Sequence, residues 1–143
     1  MSDALNLARF VDAQNGVYAS VVAELNRGRK TSHWMWFIFP QLAQFGRSEK
    51  ARFYGITSLG EARAYLDEPV LGARLRECTG IINALSGCTA FEIFGATDEM
   101  KLRSCLTLFA QVEDPSVFSE TLEKYFGGAP DSETLKILAA GPR

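Results

Sequence analysis

The side chains best suited to chemistry fall in two stretches. The first is residues 32–41, Ser-His-Trp-Met-Trp-Phe-Ile-Phe-Pro-Gln, with the single histidine, His33, and both tryptophans, Trp34 and Trp36. A histidine changes charge near neutral pH and can serve as a hydrogen bonder or acid/base at a pocket mouth. It can equally be a packed residue with satisfied ring nitrogens, and residue type leaves both readings open. The tryptophans divide in the same way, between core and a platform for a planar ligand. Each has an N–H that needs a partner when buried, and two so close are hard to bury fully together, so one can face a cavity. The second stretch runs from Glu92 to Ser104. Glu92 and Asp98 could form a carboxylate pair for proton transfer, or each could cap a helix start. Asp98, Lys101 and Ser104 recur at i, i+3, i+6 and share a helix face. Lys101 and Ser104 suit an anion there, or a surface salt bridge of little worth. The basic cluster Arg27, Arg29, Lys30 either complements a helix C-terminus or rims a site for a phosphorylated ligand.

Other chemistries find less support. No P-loop, Gly-x-Gly-x-x-Gly, His-Glu-x-x-His or Gly-x-Ser-x-Gly motif occurs, which removes the commonest nucleotide, metalloprotease and hydrolase readings. Cys78, Cys88 and Cys105 form no Cys-x-x-Cys pair. With one histidine, a zinc site would need an unusual ligand set, so no metal and no cofactor is expected. Reduced cysteines, with Cys78 and Cys105 in the core, suit a cytoplasmic protein. A net charge of -2 with 22% charged residues argues against a broad basic surface for nucleic acid. No apolar run approaches the roughly 20 residues of a membrane helix. The first 25 residues carry Asp3, Asp12 and Glu24 and no cleavable apolar core, so no signal peptide is expected.

The elements that must position these groups read as helices. At 143 residues the chain is expected to form one domain, residues 1–143, with enough apolar content (47%) for one core. Leu7, Phe10 and Val11 predict a helix over 4–14, stopped at Asn15-Gly16; Tyr18, Val21, Val22 and Leu25 predict another over 17–28. The run from Trp34 to Phe39 has no polar position, so no period can be read from it. It is expected to form a short buried helix or turn over 33–38 with an irregular exit at Pro40, and a short strand is the alternative. Residues 42–50 read as a loop, with Ser48 capping a short turn. Ser58-Leu59-Gly60-Glu61 has capping-box spacing for a helix over 59–67. Pro69 suits the first turn of the next, which runs to Leu85 with a stripe of Leu71, Leu75, Cys78, Ile82 and Leu85. A second capping box at Thr89–Glu92 opens a short helix stopping at Gly95. A helix from 97 or 98 to 112 follows, with Leu102, Cys105, Leu106, Phe109 and Val112 inward. Further helices are expected over 115–126 and from a cap at Ser132, with a frayed tail. The class is all-α, a compact irregular bundle of six to eight short helices.

Residues 32–41 resemble the bacterial family known as domain of unknown function 1810, some of whose members are labelled calpastatin. Phe10-Val11-Asp12-Ala13-Gln14, Tyr54-Gly55-Ile56, Pro69-Val70-Leu71-Gly72-Ala73-Arg74-Leu75, Ile93-Phe94-Gly95, and Asp98 with Lys101-Leu102-Arg103-Ser104 extend the likeness over 10–109. The chain departs from the pattern at Glu68, where a histidine is expected, and at Cys105-Leu106 in place of Ser-Met. More distantly, through Glu92, Phe94-Gly95 and Asp98, it resembles the NAD- and ADP-ribose-associated (NADAR) proteins, a compact helical fold linked to cleavage of N-glycosidic bonds.

What the resemblance implies is an enzyme that binds a nucleotide- or ADP-ribose-like small molecule and hydrolyses an N-glycosidic bond. The expected pocket lies between residues 32–41 and the helix start at 98. Trp36 or Trp34 would stack on the base, and Arg29, Lys101 or Arg103 would hold phosphate. Glu92 or Asp98 would orient water or stabilise an oxocarbenium-like centre, with His33 as proton donor. Gln41, Tyr54 and Ser104 complete the expected ligand-binding set. The alternative is a non-enzymatic peptide- or protein-binding module using the aromatic 32–41 block as an exposed groove. The sequence leaves the oligomeric state open.

Overall fold

A computed structural model describes residues 5–140. The first residue of the expected 4–14 helix and the end of the expected frayed tail, 141–143, lie outside the described residues. Within them the chain is all-α, with helices α1 (Ala8–Asn15), α2 (Tyr18–Asn26), α3 (Met35–Ile38), α4 (Glu49–Phe53), α5 (Leu59–Asp67), α6 (Pro69–Ala84), α7 (Ala90–Ala110), α8 (Val117–Phe126) and α9 (Ser132–Ala139), and a 3-10 turn at Ala43–Phe45. Among the described residues no helix is long and apolar enough to cross a membrane. Only α3 and α4 are shorter than eight residues. The seven longer helices fall within the expected six to eight, and α3 and α4 add short helical turns. α4 occupies part of the expected loop: Ser48 Oγ accepts from the Ala51 N–H and starts it.

Helix boundaries follow the capping chemistry. Glu68, at the position where histidine was expected, caps α6 by accepting from the Val70 and Leu71 N–H groups around Pro69. The capping box at Thr89 and Glu92 closes in both directions. At α5 only half of it forms. Ser58 caps Glu61, but the Glu61 carboxylate turns to Thr57 and to Arg9, at 3.0 Å. α8 starts later than expected, after Ser116, and the cap of α9 is Asp131, one residue before Ser132. Gly95 interrupts α7 with φ 83° and ψ 168°, a region costly for residues with a Cβ, so the run is two helical segments meeting at a kink.

The core is built from the stripes read in the sequence. Leu71, Leu75, Cys78 and Ile82 of α6 and Leu102, Cys105, Leu106 and Phe109 of α7 are buried, while Leu85 and Val112, both past the helix ends, are half-buried. Phe10, Tyr65, Phe109 and Phe118 form a chain of rings with centroids 5.0, 5.6 and 5.7 Å apart. Buried Gln14 donates to the Phe37 carbonyl at 2.8 Å and so fixes the end of α3 against α1. A single parallel bridge joins Leu42 to Ile56. It brings the backbone of Ala43 against Gly55, where a Cβ would meet Ala43 Cα at 2.4 Å. This close approach needs glycine and places α4 beside residues 41–45.

Candidate functional site

The two tryptophans have different fates. Trp34 is 1% exposed, and its indole Nε1 donates to Glu24 Oε1 at 3.0 Å. Glu24 is itself buried on α2 and accepts also from Thr31 N–H (2.8 Å), Ser32 N–H (3.0 Å) and Ser32 Oγ (2.7 Å). Burial pushes this carboxyl up, but the Ser32 hydroxyl, the two backbone N–H groups and the indole outweigh it and hold it near 2. The acid is a structural knot that folds the 27–34 loop onto α2. Lys30, expected in a helix-terminal basic cluster, turns inward from the same loop. Its ammonium pairs with Asp98 Oδ2 at 2.8 Å and lies 5.1 Å from the Trp34 ring, while its backbone N–H donates to the Ile93 carbonyl before the kink.

Trp36, two residues on, is half-buried and lines an open hollow of about 640 Å³. That volume falls in the range of small-molecule sites, roughly 300–1,000 Å³. Residues 36–51 supply one wall, with Trp36, Gln41, Phe45, Arg47, Ser48 and Ala51. Thr97, Met100, Lys101 and Ser104 recur at i, i+3, i+4, i+7 on α7 and make the floor. The start of α9 supplies Asp131 and Glu133. Two ammonium groups flank the Trp36 ring, Lys50 Nζ at 5.0 Å and Lys101 Nζ at 5.9 Å. A small side hollow of about 10 Å³, room for one water, lies between Trp36, Gln41, Lys101 and Tyr54. The arrangement offers an indole face, two to three cations, an amide and hydroxyls around one solvent-reached space.

Of the residues singled out from the sequence, the structure gathers Trp36, Gln41, Lys101 and Ser104 in the hollow and Tyr54 in its side chamber. Asp98 lines neither. Its carboxylate, partly buried, is held by Lys30 and, at 3.7 Å, by Lys101, and so it orients a lining group. Five residues stand elsewhere. His33 is exposed on the loop before α3. Trp34 is sealed in the core. Glu92 is exposed and committed to its capping box. Arg29 is exposed just past the end of α2. Arg103 points to the α8–α9 connection, donating to the Ala129 carbonyl at 2.9 Å with its guanidinium 5.8 Å from the Phe126 ring. The aromatic block is no exposed groove, because Trp34, Met35, Ile38 and Phe39 are buried.

Sequence reasoning missed Arg47, Thr97, Met100, Asp131 and Glu133. The α7 members follow from the helix face that carries Lys101 and Ser104. Asp131 and Glu133 carry no local signal, since only tertiary packing of α9 on α7 brings them here. Among the described residues no group of three His, Cys, Asp or Glu side chains is placed to hold a metal. The cysteines are free, and burial pushes the thiol of Cys78 up to about 12 and that of Cys105 well above its ordinary value, so neither supplies a thiolate near neutral pH.

No curated protein matches the chain. Among solved structures, the crystal structure of the conserved hypothetical protein Rv1873 from Mycobacterium tuberculosis is similar, with 52% identity over 96% of this chain and 99% of that one and a TM-score of 0.94. Neither this match nor the family match carries the NADAR likeness. The model of the family described as "Protein of unknown function (DUF1810)" matches residues 4–138, and the chain, as the histidine-tryptophan block led one to expect, belongs to that family.

Proposed function

We propose that the hollow beside Trp36 binds a phosphorylated small molecule with a planar ring, nucleotide- or ADP-ribose-like. The observation that carries this reading is the half-buried indole with the Lys50 and Lys101 ammonium groups at its face, on the wall of a space large enough for such a ligand. A ring system stacks on an indole, and an anionic phosphate is drawn to clustered cations, with Arg47 adding a planar fork of donors. Lys50 is exposed, so its side chain can give way as a ring settles on the indole.

Binding is supported better than glycosidic hydrolysis. That reaction needs a carboxylate at the anomeric centre and an acid at the leaving group. Glu92 and His33, on which that chemistry was expected to rest, do not line the hollow, and Asp98 is engaged by two lysines. Isothermal titration with ADP-ribose, NAD and ribosylated pyrimidine phosphates tests the reading. At least one should bind below millimolar concentration, and Trp36→Ala or Lys101→Ala should weaken it by about tenfold or more, roughly 1.4 kcal/mol. No heat from any of them, or unchanged affinity in both variants, would refute it.

A further inference from the structure

The hollow changes sign along its floor. On α7, Lys101 lies toward Trp36, while Ser104, nearly one turn further, donates to Asp131 Oδ2 at 3.2 Å. The lining therefore carries a cation, Lys101, beside Trp36 and an acid, Asp131, beside Ser104; Arg47 and Glu133 also line the space, and Glu133 pairs with Lys136 at 3.5 Å. Asp131 is held from two sides. Its backbone N–H donates to Thr107 Oγ1 at 2.8 Å, and its Oδ2 accepts from Thr134 N–H at 3.0 Å and Thr134 Oγ1 at 2.6 Å as well as from Ser104. All of these side-chain bonds use one oxygen. Oδ1 makes no hydrogen bond among the described residues. An ionised carboxylate accepts at both oxygens, so a fixed one with an unused oxygen on the wall of a cavity is a preorganised acceptor.

We propose that the lining at Asp131 is a sugar subsite: Asp131 Oδ1 accepts from the vicinal diol of a ribose whose phosphate lies toward Lys101. The inference rests on the nucleotide-like reading above and adds the orientation of the ligand. A phosphate at Asp131 would meet like charge, whereas hydroxyl donors there pair with the carboxylate. Glu133, exposed in the same lining, is already paired with Lys136 at 3.5 Å, which leaves Asp131 as the fixed acceptor.

Calorimetric titration of the full chain with adenosine 5′-monophosphate and with its 2′,3′-dideoxy counterpart tests this. The ribonucleotide should bind about tenfold or more tightly, because the deoxy sugar leaves the carboxylate unpaired. In Asp131→Ser the hydroxyl still caps α9 but Oδ1 is gone, so the preference should disappear. Asp131→Asn, also a good cap, exchanges the charged acceptor for a neutral NH₂ donor, so the preference should shrink. Equal wild-type affinities for the two nucleotides, or a preference that survives both variants, would overturn the sugar subsite and leave the phosphate reading intact. Absence of binding by either nucleotide would overturn the sugar subsite, and the phosphate reading falls with it only if ADP-ribose, NAD and the ribosylated pyrimidine phosphates also give no heat.

Discussion

Two regions next to each other in sequence use the same residue types to opposite ends. Around Glu24 an acid, an indole, a hydroxyl and two backbone amides close on one another, and Trp34 is sealed behind them. Around Trp36 an indole, lysines, a serine and an acid surround open space, and Asp131 keeps one carboxylate oxygen unused among the described residues. Residue chemistry is not what separates them. In the knot the donors match the acceptor and nothing is left over, so it stabilises the fold. In the hollow the groups are held in place yet incompletely paired, which is the condition for recognising a ligand.

The largest expected effect that separates the regions falls on the knot. Glu24→Gln can keep an oxygen for Thr31, Ser32 and Trp34 and turn its NH₂ to the Ser32 hydroxyl, but it loses the charge that strengthens these bonds, which should cost about 3 kcal/mol in urea unfolding. The same acid should set part of the acid sensitivity. Its folded value, near 2, lies below the ordinary 4.5. A lowered folded value means stabilisation that is fully present above the ordinary value and is lost as pH falls toward 2. Wild-type stability should thus fall by about 3 kcal/mol more than that of Glu24→Gln between pH 5 and pH 2. Parallel pH profiles would break the comparison, since Glu24 would then be no more than an ordinary carboxylate.

The smallest expected effect falls on the residue that looked most chemical in the sequence. His33 is exposed and lines neither hollow. His33→Ala should change stability by less than about 0.5 kcal/mol, and calorimetry should find nucleotide affinity unchanged. A fall in affinity matching that of Trp36→Ala would move the site toward the 31–34 loop.

Much of the architecture was legible because it is local. The stripe of Leu71, Leu75, Cys78 and Ile82, the cap at Thr89 and the break at Gly95 are patterns within a few residues, and the structure keeps each of them. The sealed or open fate of Trp34 and Trp36 was not legible, because the 34–39 run has no polar residue to mark which face meets water. Lys30 misled for a related reason. Next to a helix end a lysine suits the dipole, but the fold supplies a distant partner, Asp98, that draws it inward. In the candidate site, Trp36, Lys101 and Ser104 stood out from type and spacing. Asp131 and Glu133 did not, because they meet α7 only through long-range packing of α9.

Fluorescence tests the division between the two indoles most directly. Trp34 and Trp36 are the only tryptophans, one sealed and one on the hollow wall. Adding ADP-ribose should quench wild-type emission in a saturable way, and Trp36→Phe, which leaves Trp34 as the sole indole, should lose that response while keeping its melting temperature. Saturable quenching that persists in Trp36→Phe, or no quenching in the wild type, would contradict the account.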